Sequence, residues 1–166
     1  MTMVDTLKGS ELFGGMDKGH LEKLAQLCRT SSYREGQFIF KEGDEAREIY
    51  VLADGRVALE MEVRPVPNRP AIPTAVEVVT EGETLGWSAL VEPHIYTLSA
   101  RCMTNCRLLA FNGDMLRKIM ADDTSLGYEL MKRLTRIISR RLADTRLRLI
   151  SGLGLVLLGK ELSIPE

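Results

Sequence analysis

Apolar positions change period twice along the chain. Leu21, Leu24, Ala25 and Cys28 fall at helical spacing behind Asp17, a residue suited to capping a helix N-terminus, and predict a helical lead-in over residues 1–32. From Tyr33 to Phe111 the pattern becomes short runs rich in β-branched and aromatic residues, among them QFIF, EIYVLADGRVALEMEV, TAVEVV, YTLSARC and CRLLAF, split by Gly and Pro. Residues 33–112 are therefore expected to form an all-β sandwich or roll. Within it, the stretch RPVPNRPAIPT (64–74) holds four of the six prolines and is expected to be an exposed loop joining two strands. After Asn112 the helical period returns, first in GDMLRKIMADD and then in a long helix from Ser125 to about residue 150. Met131, Leu134, Ile138, Leu142 and Leu149 form its apolar stripe, which Arg141 and Thr145 interrupt. Residues 151–166 follow as a Gly-rich, partly apolar tail.

Composition narrows the class. With 45% hydrophobic and 27% charged residues over 166 positions, the chain is an ordinary globular one, long enough to bury a core without disulfide or metal. A net charge of -1 argues against a surface built to neutralise nucleic-acid phosphates. Charge is uneven, however: Lys132, Arg133, Arg136, Arg140, Arg141, Arg146 and Arg148 crowd residues 132–148 of the last helix against Asp144, with Glu129 one turn before, and are expected to be its solvated outer face. The N-terminus lacks the basic and apolar regions of a signal peptide, and Leu153 to Leu158 is far shorter than the ~20 residues a membrane span needs. A cytoplasmic location is expected. Three cysteines suit a reducing compartment, and Cys102 and Cys106, placed on one strand, would lie about 13 Å apart, too far to pair. With only His20, expected at the surface, and His94, there is no metal-ligand cluster, and no nucleotide-phosphate loop or catalytic triad is evident, so no enzyme is expected.

The most informative segment is EGETLGWSAL (81–90). Two glycines followed by Ser-Ala-Leu at the start of a helical turn would present free backbone N–H groups, an anion site by geometry. Taken in order, LKGSELFGGMDKGHLEKLAQLC, YREGQFIFKEGDEAREIYVLADGRVAL, EGETLGWSAL, YTLSARCMTNCRLLAF and the long final helix resemble the cyclic nucleotide-binding domain of catabolite activator and Fnr-like regulators. Gly36, Gly43, Gly55, Gly82 and Gly86 fall in the family's order, and the resemblance spans about Leu7 to Leu149. It implies a double-stranded β-helix, a jelly-roll-like β-roll, flanked by N-terminal helices and a long C-terminal helix that forms a homodimer seam.

The resemblance also implies a ligand site. The family's phosphate-binding cassette reads Gly-Glu-Leu-Ala-Leu, followed by Arg-Ser/Thr-Ala; its Glu takes the ribose hydroxyl and its Arg the cyclic phosphate. Here the first motif reads Gly86-Trp87-Ser88-Ala89-Leu90, and aligning YTLSARC to the second puts Tyr96 at the Arg position and Thr97 beside it. Losing the charge-assisted phosphate contact forfeits roughly 1.5–3 kcal/mol, which weighs against cyclic AMP or cyclic GMP binding in the usual mode. Arg101 is expected on the opposite face of the strand and is a poor substitute. Trp87, His94 and Tyr96 instead offer aromatic surface with polar tips, and Ser88, Ala89 and Thr97 polar contacts.

Two readings stay open. In one, a stand-alone sensor with no required cofactor binds a small ligand and moves the final helix for an unknown protein partner. In the other, Trp87 and Tyr96 plug the cavity, and the module serves only dimerisation or docking. The regulators it resembles carry a winged helix-turn-helix after the long helix; sixteen residues cannot form one, so direct DNA reading is not expected.

Overall fold

The computed structural model describes residues 2–64 and 66–161, the stretch 153–161 by its backbone alone. Two N-terminal helices, α1 (Met3–Lys8) and α2 (Lys18–Leu27), precede eight strands: β1 (Cys28–Tyr33), β2 (Phe38–Phe40), β3 (Glu48–Asp54), β4 (Val57–Val63), β5 (Ile72–Val79), β6 (Thr84–Leu85), β7 (Ser99–Cys102) and β8 (Cys106–Asn112). A single 3₁₀ turn, Trp87–Leu90, lies between β6 and β7, and the chain closes with α3 (Gly113–Asp122) and α4 (Thr124–Glu161). The strands form two antiparallel four-stranded sheets, ordered β1-β8-β3-β6 and β2-β7-β4-β5. This is the expected β-roll with helices at both ends.

Asp17 caps α2 as its position predicted, accepting from the His20 N–H. β3 and β8 are buried along nearly their whole length because one face meets the opposite sheet and the other meets the helices. Phe13 of the lead-in lies 4.9 Å from Phe111 of β8, centroid to centroid. The turn between β3 and β4 needs Gly55: its φ is 102°, and a Cβ there would come within 2.6 Å of the Asn105 carbonyl oxygen.

Local differences from the sequence pattern have physical reasons. β1 lies in the stretch assigned to the helical lead-in, and Cys28 opens it rather than continuing α2. Its CRTSSY sequence is largely polar at the sheet edge and carries no alternating apolar signal. β5 begins inside the proline-rich segment, pairing Pro73 with Glu62; as an edge strand it tolerates a residue without an N–H. Cys102 and Cys106 do not share a strand, because residues 103–105 turn the chain back and make the two thiols neighbours. Burial, and next the Cys106 thiol, push the Cys102 thiol up to about 12. His20 is not a free surface residue: it lies 2.5 Å from Asp17 and 3.5 Å from Asp123, joining α2 to the junction before α4.

The largest difference is in α4. Its helix runs on to Glu161, through residues assigned to the tail; residues 162–166 lie outside the described part. The face it buries is Leu126, Leu130, Leu134, Ile137 and Arg141, packed into the protein's own core. Leu134, expected on a dimer stripe, is fully buried inside its own chain. The basic residues are not a uniform solvated face either: Arg133 donates to the Gly14 carbonyl, Arg148 to the Val76 carbonyl, and Arg140 and Arg141 pair with Glu11.

Candidate functional site

β6 ends at Leu85, and Gly86 turns the chain with φ 79° and ψ 23°. No side chain fits there without pushing the neighbours, since a Cβ would sit 3.0 Å from the Glu48 carbonyl and 3.3 Å from the Tyr50 ring. The turn sets Trp87 and Ser88 on the rim of a cavity of about 380 Å³. The strands give it apolar walls: Phe40 from β2, Leu59 and Met61 from β4, Val76 from β5 and Leu85 from β6. Tyr96, Thr97 and Leu98, on the approach to β7, close one side, while Ile138, Arg141, Leu142 and Thr145 of α4 close the other.

Five of the seven predicted site residues meet at this cavity: Gly86, Trp87, Ser88, Tyr96 and Thr97. Ala89 and Leu90 do not line it. Ala89 is fully buried beneath the turn, where Gly113 comes so close that a Cβ on it would lie 2.9 Å from the Ala89 carbonyl oxygen. The Ala89 N–H, expected to be free for an anion, donates to the Gly86 carbonyl at 3.1 Å, and the Ala89 carbonyl accepts from Arg117. His94 also lies off the cavity; its backbone pairs with Val91 and Ala46. Arg101 points elsewhere, its guanidinium held by Glu60 at 2.5 Å.

Neither Trp87 nor Tyr96 plugs the space. Tyr96 stacks on Phe40 with centroids 3.8 Å apart and planes 12° from parallel, so its ring is part of the wall. Its hydroxyl donates to the Glu48 carbonyl at 2.7 Å and accepts from the Glu48 N–H at 3.2 Å, leaving it little capacity for a ligand. Burial pushes its phenol above the ordinary value, so it stays neutral at physiological pH.

Sequence reasoning missed the charged centre of the site. Arg141 is 7% exposed, and its guanidinium carbon sits 4.7 Å from the Trp87 ring centre. Its Nη2 donates to the Thr84 carbonyl at 2.7 Å and to Glu11 Oε1 at 3.1 Å, tying α4 to β6 and to the lead-in. Its Nε lies 3.0 Å from Glu77 Oε1 in an ion pair without hydrogen-bond alignment, and Nη1 has no acceptor among the described residues. Leaving such buried donors unmade costs about 1–3 kcal/mol. Glu77, half-buried on the cavity wall, has its carboxyl raised by burial, with the Arg141 charge opposing. In the sequence Arg141 stood out as one of the helix's seven clustered basic residues and as an interruption of the apolar stripe, and that interruption was the available signal.

Comparison with known proteins decides the family. The sequence profile of the cyclic nucleotide-binding domain matches residues 30–123, more than half of the chain. The chain belongs to this family. It is 24% identical over 143 residues to the CRP-like cAMP-activated global transcriptional regulator of Mycobacterium tuberculosis, covering 86% of this chain but 60% of that protein. It is 36% identical over 94 residues to a cAMP-dependent protein kinase regulatory subunit of Dictyostelium discoideum, covering 55% of this chain and 27% of that one. The chain thus spans less than two-thirds of the length of these curated relatives. A protein from Geobacter metallireducens has the same fold, with TM-score 0.72 and 27% identity over 86% of this chain and 99% of that one. The cavity lies within the matched region except for its α4 wall, which falls beyond residue 123.

Proposed function

We propose that this cyclic nucleotide-binding domain senses a small ligand, cyclic AMP or cyclic GMP, in the cavity between the 3₁₀ turn and α4, and signals by changing how α4 lies on the roll. The observation that carries this reading is the cavity itself: about 380 Å³ stays open beside Trp87 and Tyr96, and α4 supplies one wall. A ligand touching both the turn and α4 binds one helix arrangement better than another, and that difference is what shifts the equilibrium. A coupling of ~1–3 kcal/mol suffices for signalling. The relatives named for cAMP activation and cAMP dependence support the same ligand class. The role is regulatory and non-catalytic, no cofactor is required, and the location is cytoplasmic. Among the described residues no helix is long and apolar enough to cross a membrane.

The signal passes to a second copy and onward to a protein partner. Tyr128, Met131, Leu142 and Leu149 are exposed on α4 and, with Thr135, half-buried Ile138 and Thr145, follow a three-four spacing suited to a helix-helix seam. This face, displaced from Leu134, is the proposed homodimer contact.

Calorimetric titration of the purified chain with cyclic AMP and with cyclic GMP, after any carried-through nucleotide has been removed, tests the ligand. Heats fitting a micromolar Kd are expected for at least one of them. The absence of heat with both overturns the cyclic nucleotide reading and leaves a different small ligand or a docking module.

A further inference from the structure

The cassette of this chain has no cation, yet its cavity has one. Among the described residues Arg141 is the single basic residue lining it, and it belongs to the final helix. The side chain is more than nine-tenths buried. It is also preorganised: Nη2 is fixed on the Thr84 carbonyl and Glu11, Nε faces Glu77, and the Trp87 indole covers the guanidinium. That leaves Nη1, which is shielded from solvent and whose two N–H groups have no acceptor among the described residues, so an oxyanion reaches it only by displacing what covers it. A guanidinium fork with one edge tied down and one nitrogen uncommitted is suited to receive an oxyanion. Two hydroxyls on the same cavity, Ser88 and Thr97, also make no side-chain hydrogen bond among the described residues and can complete the anion's coordination. The remaining walls, such as Leu59, Met61 and Val76, favour an apolar or aromatic body.

We propose that Arg141 holds the charged group of the ligand, and that the ligand class is a small organic monoanion, a phosphodiester or a carboxylate on an apolar or aromatic body. The inference rests on the reading that the cavity is a ligand site, and it extends that reading to the group that recognises charge. Glu77 keeps its place on Nε while the anion takes Nη1, so no existing ion pair has to break. Because Arg141 belongs to α4, the ligand's charge acts on the signalling helix directly. Trp87, the only tryptophan, lies over the same guanidinium and reports occupancy by its fluorescence.

The test pairs charged probes with neutral counterparts: cyclic AMP against adenosine, and octanoate against octanol, each titrated by calorimetry and by Trp87 emission. Wild type should bind a charged member at least 10-fold more tightly than its neutral counterpart. Arg141→Met should weaken the charged member by about 10- to 100-fold, the range for losing a charge-assisted contact, while changing the neutral member less than about twofold. A merely structural arginine would weaken both members alike. Arg141→Gln, which keeps a donor for the Thr84 carbonyl, is read in the same way should Arg141→Met fail to fold. Equal binding of charged and neutral members by wild type, or undiminished anion binding in the variant, overturns the inference. Failure of both cyclic nucleotides alone overturns only the proposed ligand, and octanoate then decides the role of Arg141. Failure of every anion overturns both.

Discussion

The two halves of α4 are built to opposite rules. From Thr124 to Arg141 the helix is an anchor: Leu126, Leu130, Leu134 and Ile137 are buried in the core, and Arg133, Arg140 and Arg141 clasp the lead-in. From Leu142 to Gly152 every residue is exposed, including Leu147, Leu149 and Ile150 at more than 60%. Both halves carry leucines and arginines at comparable spacing, but only the first half has a core to pack into; the second meets the roll through Leu142 and Thr145 at the cavity and through the Arg148 bond to the Val76 carbonyl. The boundary falls at Arg141, where the cavity is. A ligand there sits at the point where an anchored helix becomes a free one, which is where a small displacement of the axis moves the far end most.

The contrast can be broken most strongly at Leu134. Leu134→Ala should destabilise the fold by about 2–5 kcal/mol in denaturant unfolding, because it opens a cavity in a packed core. Leu149→Ala, in the free half, should stay within about 0.5 kcal/mol when measured on monomer. Equal effects would mean that the two halves do not differ as described.

Next in size is the clasp. Glu11 pairs with both Arg140 and Arg141 and accepts from the Thr84 N–H at 2.8 Å. Glu11→Ala should cost roughly 1–3 kcal/mol, since it leaves a buried guanidinium short of an acceptor. The protection of α4 amides against hydrogen exchange should fall with it. Undiminished protection would show that the apolar face alone holds the helix.

The free half has its own test. If the proposed homodimer forms, Met131→Asp combined with Leu149→Asp should turn it into monomer in sedimentation while leaving the unfolding midpoint of the monomer nearly unchanged. Leu134→Asp is unsuited to that purpose because its side chain lies in the core. An unchanged sedimentation profile for the double variant would remove the proposed seam.

The smallest expected effect is a pH dependence at the root of the anchor. The Lys23 ammonium, followed by the Leu126 N–H, holds the Asp123 carboxyl below its ordinary value of 3.8. The folded chain therefore binds this proton less readily than the unfolded one. The contact stabilises the fold above about pH 3.8 and is lost as pH falls through the lower folded value. Asp123→Asn should flatten acid unfolding slightly in that window; an identical acid profile would show the contact is too solvated to matter.

Much of the roll was readable because each of its signals is local. The apolar, β-branched runs of EIYVLADGRVALEMEV, the turn at Gly55 and the cap at Asp17 each depend on neighbours within a few residues. Gly86, Trp87 and Ser88 were legible from the glycine turn itself, whereas Tyr96 and Thr97 came only from the resemblance to the family's second motif; all five meet at one cavity. β1 was missed since a polar edge strand has no period to detect, and the proximity of Cys102 to Cys106 was missed since it depends on where a strand ends.

By itself the sequence determined the succession of helical lead-in, β segment and closing helices, the mainly-β class of fold and the position of the turn, because hydrophobic period and glycine placement are properties of a short stretch of chain. The tertiary structure alone decided which face of α4 is buried, that Leu134 is core and not seam, and that the cavity's cation comes from the last helix. Several stripes of a long helix can be apolar enough to bury, and the choice among them is made by the surface on which the helix lands. Arg141 stands 54 residues beyond Trp87 in the chain, and no local rule connects them. Packing α4 across the open side of the roll puts them 4.7 Å apart.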